Sequence, residues 1–254
     1  MGILNLTPDS FYDGNKYFNK ENISYEDFNY ADIVDIGCES TRPGSLSITL
    51  EEELVRLKKI DLDNCFINKK LSIDSTKYNV IEFALENGFK MINDISGGGE
   101  NNINMTLALK YNVPIVLMHM QGNPMNMQYN PKYKNIIDDL LLFFDKKINF
   151  GLKIGLKKEQ IIIDPGIGFG KKISDNDLII RNLGKFKKLG CPILIGISRK
   201  SFLCFNNDVP KDRLETSLSV MSLAVNNGAD IVRVHDILYT HKVLSIIDRI
   251  KYES

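Results

Sequence analysis

Short apolar runs that alternate with longer amphipathic segments most constrain the fold of this chain. Eight runs are rich in Ile, Val or Leu and have the length of buried strands rather than helices. Strands that alternate with helical segments are expected to pair in parallel. Each helix carries the chain back along the sheet, so that the next strand runs in the same direction as the one before. The runs are Gly2–Asn5, Ile33–Ile36, Lys70–Ile73, Met91–Asn93, Ile115–His119, Ile161–Ile163, Ile193–Ile197 and Ile231–Val234.

The segments between these runs carry the end signals of helices. Thr49 precedes a segment that starts with acidic residues and finishes with basic ones, which suits the helix dipole. Gly88, Gly190 and Gly228 stand where segments finish and predict left-handed C-caps. The predicted helices are Leu50–Ile60, Thr76–Asn87, Met105–Tyr111, Asn135–Gly151, Asp175–Leu189, Leu214–Asn227 and Ile237–Lys251.

The number of units and the length of the chain favour one closed barrel. The chain has 254 residues, close to the ~250 that a single eight-unit α/β barrel needs. No linker, low-complexity stretch or short repeat divides it. We therefore predict an α/β fold, a (β/α)8 barrel that forms a single domain over residues 1–254. An open, doubly wound sheet is the alternative.

Composition excludes several classes of function. The 32 basic and 32 acidic residues cancel, so no overall charge gathers nucleic acid or a membrane surface. No apolar stretch reaches the ~18 residues of a membrane span, and no charged and apolar leader opens the chain. Cys38, Cys65, Cys191 and Cys204 lack metal or redox spacing, and we expect buried free thiols. We expect a cytoplasmic protein.

Polar side chains stand at the predicted carboxyl ends of the strands. These ends form one rim of a barrel, where its chemistry is found. A carboxylate there could accept two adjacent N–H groups of a planar heterocycle, and Arg with His suits phosphate. No Ser–His–Asp or Cys–His arrangement stands out. The rim residues are Asn5, Asp35, Glu39, Asp74, Asn93, Asp94, His119, Asp164, Ser198, Arg199, Lys200, Arg233 and His235.

Other polar features have simpler interpretations. We expect Glu51–Glu53 and Lys58–Lys59 to be solvated charges on a helix face. His119, between Met118 and Met120, is expected to belong to the barrel wall. The glycine-rich DPGIGFG segment predicts a tight turn that also lets the backbone approach a substrate, because glycine adopts positive φ without strain.

Eight motifs resemble those of the dihydropteroate synthases. GILNLTPDSFYDG and DIGCESTRPG are similar to two signature segments of that family, and the other motifs follow in its order and spacing from Gly2 to the last strand. The resemblance implies a TIM barrel that joins a dihydropterin diphosphate to p-aminobenzoate and releases diphosphate. It also implies Mg2+, a homodimer and a sulfonamide target, since sulfonamides mimic the shape of aminobenzoate. The remaining motifs are SIDSTK, INDISGG, VLMHMQG, IIDPGIGFGK, GISRKSF and RVHD.

The resemblance also implies roles for individual residues. Asn5 matches an amide near Mg2+, and Asp74 a carboxylate that stabilises positive charge developing on the pterin. Residues implied to bind pterin or diphosphate are Thr41, Asp74, Asn93, Asp164, Lys200, Arg233 and His235. Those implied for the aminobenzoate pocket are Arg42, Pro43, Phe169, Lys200 and Ser201. The implied catalytic residues are Asp74, Lys200, Arg42 and Arg233.

Two departures from the family pattern bear on the backbone. Cys38 stands where the family usually has Gly, and would crowd the backbone if that position required positive φ. The first strand follows directly on Met1, so we expect less cover over the bottom of the barrel.

Two other functions compete with this interpretation. A pterin-dependent methyltransferase would share the barrel and the pterin site, but ESTRPG and SRKSF serve diphosphate and aminobenzoate in the resembled family. A non-catalytic pterin-binding paralogue would be expected to lack Arg42, Lys200 or Asp74, and all three are present.

Overall fold

Eight parallel strands form the centre of the molecule. The computed structural model describes residues 1–6, 26–41, 44–59, 66 and 68–252. Each strand falls where an apolar run predicts it, within a residue or two at either end. The strands are β1 (Gly2–Asn5), β2 (Ile33–Gly37), β3 (Lys70–Asp74), β4 (Met91–Asp94), β5 (Ile115–Met118), β6 (Ile161–Asp164), β7 (Leu194–Gly196) and β8 (Ile231–Arg233).

Helices follow the strands on the outside of the sheet. Within the described residues there are seven α-helices, with short 3-10 turns between some of them. The α-helices are α1 (Leu50–Leu57), α2 (Tyr78–Glu86), α3 (Ile103–Tyr111), α4 (Ile136–Ile154), α5 (Ile173–Arg181), α6 (Leu214–Asn226) and α7 (Ile237–Tyr252).

The strands close into a barrel. Strands β1 to β6 pair in sequence order, and β7 pairs with β8. Parallel bridges between Ile163 and Ile193 and between Gly2 and Val234 join the two groups. The β8–β1 seam is held by the Ile3 amide, which donates to the Val234 carbonyl at 2.9 Å. The predicted barrel is therefore confirmed, and the open doubly wound sheet is wrong.

Register brings polar strand ends to one level. Asn5 pairs with Gly37, Gly37 with Asp74 and Asp74 with Asn93 across β1 to β4. Below that level a small apolar cluster fills the inside of the barrel, and the larger core lies between strands and helices. The polar rim therefore rests on a packed interior. The inner cluster consists of Met1, Met91, Val116, Ile162 and Leu194.

Helix ends follow the sequence signals closely, with one exception. Thr49 caps α1 in a capping box with Glu52, and the three predicted glycine caps all have positive φ. The predicted helix Asp175–Leu189 is wrong, because α5 ends at Arg181 and a 3-10 segment, Leu183–Leu189, follows. The Asn182 side chain donates to the Leu178 carbonyl at 2.8 Å. Such local side-chain bonds favour the end of a helix over its continuation.

Two expectations about surface and core are wrong. Glu53 is fully buried rather than solvated, because it lies one helical turn from buried Leu57 on the inner face of α1. Cys204 is exposed, whereas Cys38 and Cys191 are buried free thiols as expected. Cys65 lies outside the described residues.

Cys38 does not strain the backbone. It is absent from the described residues with positive φ, and its side chain is fully buried in the main core. The backbone at this position therefore accommodates a side chain without a left-handed conformation. In the described ranges, no helix has the length and apolar character that crossing a membrane requires.

Candidate active site

Four polar side chains from β2, β3, β4 and β8 form one ionic network at the rim. The guanidinium of Arg233 donates from Nε to Asp35 Oδ2 at 2.6 Å and from Nη2 to Asp74 Oδ2 at 2.6 Å. Asn93 Nδ2 donates to the same Asp35 oxygen at 2.8 Å. We call these four residues the acid–arginine side. Two carboxylates share one cation here, so the charges are not balanced within the network.

Two acceptor oxygens of this network make no hydrogen bond within the described residues. Oδ1 of Asp35 and Oδ1 of Asp74 are both buried, and neither has a hydrogen-bond partner in the part of the chain that the structure describes. Burial raises the pKa of Asp74 to about 7, although Arg233 acts in the opposite direction. Burial works against the charge of Arg233, but Asp35 and Asp74 raise its pKa. Unpaired buried acceptors are costly, so a ligand that donates hydrogen bonds here is favoured.

Asp164 and Lys200 face this network from β6 and from the loop after β7. Asp164 Oδ1 accepts from the Gly166 amide at 2.7 Å, and Oδ2 accepts no bond within the described residues. Burial raises the pKa of Asp164, while the nearby Lys200 ammonium acts in the opposite direction. Lys200 Nζ donates to the Ile167 carbonyl and lies 4.5 Å from the centroid of the Phe169 ring. Burial lowers the pKa of Lys200 to about 8, with Asp164 opposing the shift.

The glycine-rich segment after β6 positions this second side. Gly166 and Gly170 both have positive φ. A Cβ on Gly166 would lie 2.0 Å from the His119 carbonyl oxygen, and one on Gly170 would lie 2.6 Å from that of Gln121. No side chain fits at either position. The segment is therefore a tight turn packed on the loop after β5, and it presents Phe169 beside Lys200.

A lysine that the sequence analysis did not single out holds this turn. Lys171 Nζ donates to the Phe169 carbonyl at 2.9 Å and to the His119 carbonyl at 3.2 Å, and lies 3.2 Å from His119 Nδ1. Burial lowers the pKa of Lys171 to about 7 and that of His119 to about 3. His119 also packs edge-on against Phe143, with ring centroids 4.9 Å apart, so it belongs to the barrel wall as predicted. The only sequence signal for Lys171 is its place at the end of the quoted IIDPGIGFGK motif.

A second lysine, which is half-buried, anchors the loop after β2. Lys77 Nζ lies 2.5 Å from Glu39 Oε2 and 2.7 Å from Glu53 Oε2. Glu39 Oε1 also accepts from the Ile48 amide at 3.0 Å. Farther along the same loop, the Gly44 amide donates to the Pro124 carbonyl at 2.9 Å. The loop that carries Thr41 is thus tied to α1, α2 and the loop after β5.

Other predicted site residues are placed as follows. The His235 ring and backbone amide both contact Ser198 Oγ, with Nδ1 and N each at 3.2 Å. Thr41 and Phe169 are half-buried, and Ser201 is exposed in the turn after Lys200. Arg42 and Pro43 lie outside the described residues. The rim thus gathers Asn5, Asp74, Asn93, Asp164, Lys200, Arg233 and His235, but their roles toward substrate remain predictions.

The residues present can be compared with what Mg2+ requires. No cluster of three or more His, Cys, Asp or Glu side chains suited to a metal occurs in the described part of the chain. Mg2+ keeps several waters and takes one or two protein ligands together with substrate phosphates. The Asn5 amide oxygen lies at the rim, 3.5 Å from where a Cβ on Gly37 would stand. A single amide oxygen as protein ligand fits a cation that arrives together with diphosphate. It does not fit a permanent metal site built from protein ligands alone.

Known proteins resemble this chain in family, in sequence and in fold. Residues 1–235 match the family model of the pterin binding enzymes. The chain is 40% identical to the dihydropteroate synthase of Haemophilus influenzae, over 97% of this chain and 91% of that one. The Yersinia pestis dihydropteroate synthase, solved as a sulfonamide drug complex, superposes with a TM-score of 0.90 at 35% identity, covering 99% of this chain and 93% of that one.

Another similar structure contains a different ligand, 4-aminobenzoic acid. The Xanthomonas albilineans dihydropteroate synthase, solved with 4-aminobenzoic acid, superposes with a TM-score of 0.89 at 32% identity, covering 100% of this chain and 93% of that one. Family model, sequence relatives and solved structures agree over nearly the whole length. The chain therefore belongs to the pterin binding enzyme family and, within it, to the dihydropteroate synthases.

Proposed function

We propose that the rim of this barrel condenses 6-hydroxymethyl-7,8-dihydropterin diphosphate with p-aminobenzoate, giving 7,8-dihydropteroate and diphosphate. One observation carries the proposal. The buried carboxylates of Asp74 and Asp164 each keep an oxygen without a hydrogen-bond partner among the described residues, and the half-buried ammonium of Lys200 lies with them at the strand ends. A flat ring rich in N–H groups would satisfy these acceptors. Membership of the dihydropteroate synthases identifies that ring as a dihydropterin.

The bond that breaks joins the pterin methylene carbon to the diphosphate oxygen. Its electron pair leaves with diphosphate, so positive charge develops on the methylene and the ring. Asp74, whose Oδ1 is buried and unpaired, offsets this charge. Arg233 is fixed between Asp35 and Asp74, which sets its guanidinium plane against the ring.

The amine of p-aminobenzoate then forms the new carbon–nitrogen bond and releases a proton. This amine is neutral and weakly basic, so its position matters more than a general base. We propose that Phe169, Lys200 and Ser201 line its pocket together with Arg42 and Pro43. Phe169 and Lys200 already contact each other, and Ser201 follows Lys200 in the same exposed turn.

The departing diphosphate needs positive charge and hydrogen-bond donors. We propose that His235, Thr41 and Arg42 supply them, with Asn5 holding Mg2+. When bound, Mg2+ would neutralise the charge that develops on the leaving oxygens. The backbone amide of His235 is fixed by Ser198, which orients the residue at the end of β8.

We also propose a cytoplasmic homodimer. Leu223 on α6 and Ile246 and Ile250 on α7 expose much of their apolar side chains on the outside of the barrel. Large exposed apolar side chains on neighbouring helices favour an interface between two copies. Sedimentation of the purified chain tests this, and a monomer at micromolar concentration would contradict it.

Turnover is the direct test of the proposed function. The purified chain is incubated with the dihydropterin diphosphate, p-aminobenzoate and Mg2+, and dihydropteroate is measured. We expect product with Mg2+ and little after chelation. Methyl transfer to a corrinoid protein without dihydropteroate would support a methyltransferase, and pterin binding without turnover a non-catalytic paralogue.

A further inference from the structure

Asp35 is a buried carboxylate that the proposed mechanism uses only through Arg233. Its side chain is completely buried in β2, and one oxygen, Oδ2, accepts from both Arg233 Nε and Asn93 Nδ2. It thereby joins β2 to β4 and β8 across the barrel mouth. We infer that Asp35 is a positioning residue that locks the amide of Asn93 in one orientation, and so makes the site select a pterin ring with an N–H group at that point.

The lock follows from the hydrogen-bonding capacity of the groups. A guanidinium only donates, so the Asp35 oxygen that faces it is an acceptor. Asn93 must therefore turn its NH2 group toward Asp35, and its carbonyl oxygen Oδ1 points the other way. Within the described residues no group donates to that oxygen, which leaves it for a ligand.

The order of residues around the rim indicates which part of the ring meets Asn93. This step rests on the proposed function. Going round the barrel, Asn93 on β4 is followed by Asp164 on β6 and then by Lys200 after β7. A carboxylate suits the amino group and N3–H of the pterin, and an ammonium suits O4 and N5. The remaining edge of the ring, which carries N1 and N8, then faces Asn93. The three edges follow one another round the ring in the same order as the three residues round the rim.

Only one oxidation state of the ring suits this fixed acceptor. In a 7,8-dihydropterin N8 carries a hydrogen and can donate to Asn93 Oδ1. In a fully oxidised pterin N8 carries a lone pair, which would face that oxygen without a bond. Because Asp35 prevents the amide from turning over, the oxidised ring lacks the hydrogen bond that the dihydropterin makes at this point.

The test compares the affinities of two ligands rather than activity. Binding of 6-hydroxymethyl-7,8-dihydropterin and of oxidised 6-hydroxymethylpterin is measured by calorimetry on the wild type and on Asp35→Leu. We expect the wild type to favour the dihydropterin about tenfold or more. Leucine has a shape similar to that of aspartate but accepts no hydrogen bond, so in Asp35→Leu the Asn93 amide can turn, and the preference should fall to about threefold or less.

A matched variant distinguishes loss of the fixed Asn93 orientation from loss of negative charge near Arg233. Asp74→Asn removes the other carboxylate that pairs with Arg233 but leaves the Asn93–Asp35 bond in place. We expect it to weaken both pterins while retaining the wild-type preference. If Asp35→Leu keeps that preference, the inference is wrong while the proposed function stands. If the wild type neither binds a pterin nor forms dihydropteroate, the proposed function itself fails.

A measurement on the wild type covers the case in which the buried Asp35→Leu variant does not fold. In protein labelled with 15N at asparagine, Asn93→Leu identifies the Asn93 side-chain resonance by its absence. We expect the proton that Asn93 donates to Asp35 to be shifted downfield and protected from exchange with water in the absence of ligand. An unshifted proton that exchanges rapidly would show that Asp35 does not hold the amide.

Discussion

The two sides of the rim hold their charges in different ways. On the acid–arginine side, two carboxylates fix one guanidinium through short bonds from different strands. On the opposite side, Lys171 and Lys200 donate mainly to backbone carbonyls around one carboxylate, Asp164. The first side carries an excess of negative charge and the second an excess of positive charge.

This difference assigns different work to each side. Paired side chains on the acid–arginine side hold one another in place, and among the described residues two of their buried oxygens have no hydrogen-bond partner. The lysines opposite have lowered pKa values because burial is only partly offset by nearby acids, mainly Asp164. We infer that the first side holds its side chains in fixed orientations toward the ring, whereas the lysine side, together with Asp74, sets how binding depends on pH.

Breaking the acid–arginine side at its centre should have the largest effect. Arg233→Met leaves Asp35 and Asp74 buried and unpaired, so we expect a loss of about 3–5 kcal/mol in the free energy of unfolding, measured by urea denaturation. Lys187→Met, which breaks an exposed ion pair with Asp230, is the control and should cost less than about 1 kcal/mol. Equal losses in the two variants would mean that the network is not stabilised by its pairing.

Removing the one carboxylate of the lysine side should mainly affect binding. Asp164→Asn places an NH2 group where the ring presents donors, and we expect pterin binding to weaken by about 2–4 kcal/mol. Calorimetry measures this directly. Asp177→Asn, on the exposed face of α5, should bind like the wild type. Unchanged affinity in Asp164→Asn would remove Asp164 from the pterin site.

The shape of the Lys200 cation should matter as much as its charge. Lys200→Arg replaces a compact ammonium by a planar fork beside the Phe169 ring, and we expect kcat/KM to fall about 10- to 100-fold. Because the pKa of Lys200 is lowered to about 8, wild-type activity should decline above that pH, and the decline should be absent in the arginine variant. Steady-state rates from about pH 6 to about pH 10 measure both effects.

Two results would revise the role of Lys200. A covalent adduct trapped by borohydride would show that it acts as a nucleophile rather than as a donor. A full rate in Lys200→Arg would show that only charge is needed. Lys185→Arg, on an exposed lysine, serves as the control and should leave the rate unchanged.

The smallest effect concerns stability and pH on the lysine side. Burial lowers the pKa of Lys171 from 10.5 to about 7, so between these values the unfolded chain holds a proton that the folded chain has released. The free energy of unfolding contributed by this group therefore rises with pH across that window. Relative to Lys171→Met, the wild type should gain about 1–2 kcal/mol from about pH 7 to about pH 9 in urea denaturation.

The control for this prediction is the next residue. Lys172→Met removes an exposed lysine and should follow the pH dependence of the wild type. If Lys171→Met also follows it, the burial of Lys171 does not perturb its protonation, and the contrast between the two sides is weaker than we propose.

Sequence reasoning located the rim but not its internal pairing. Strand ends placed Asp74, Asn93, Asp164 and Arg233 at one level because side chains at the ends of parallel strands converge. It assigned no role to Lys171 and expected Glu53 to be solvated. Both lysine and glutamate are ordinarily exposed, and only their neighbours in space show that they are paired and buried.

The sequence alone determined the eight strands and the residues of the rim, because these depend on periodicity and motifs within short stretches of chain, and it favoured a closed barrel over an open sheet. The pairing of β8 with β1 decided that the barrel is closed. Tertiary structure decided which rim residues pair. Asp35 and Arg233 are 198 positions apart, and Asp35 and Asn93 are 58 apart. Hydrogen bonds over such separations depend on the register of whole strands around the barrel, which no local pattern specifies.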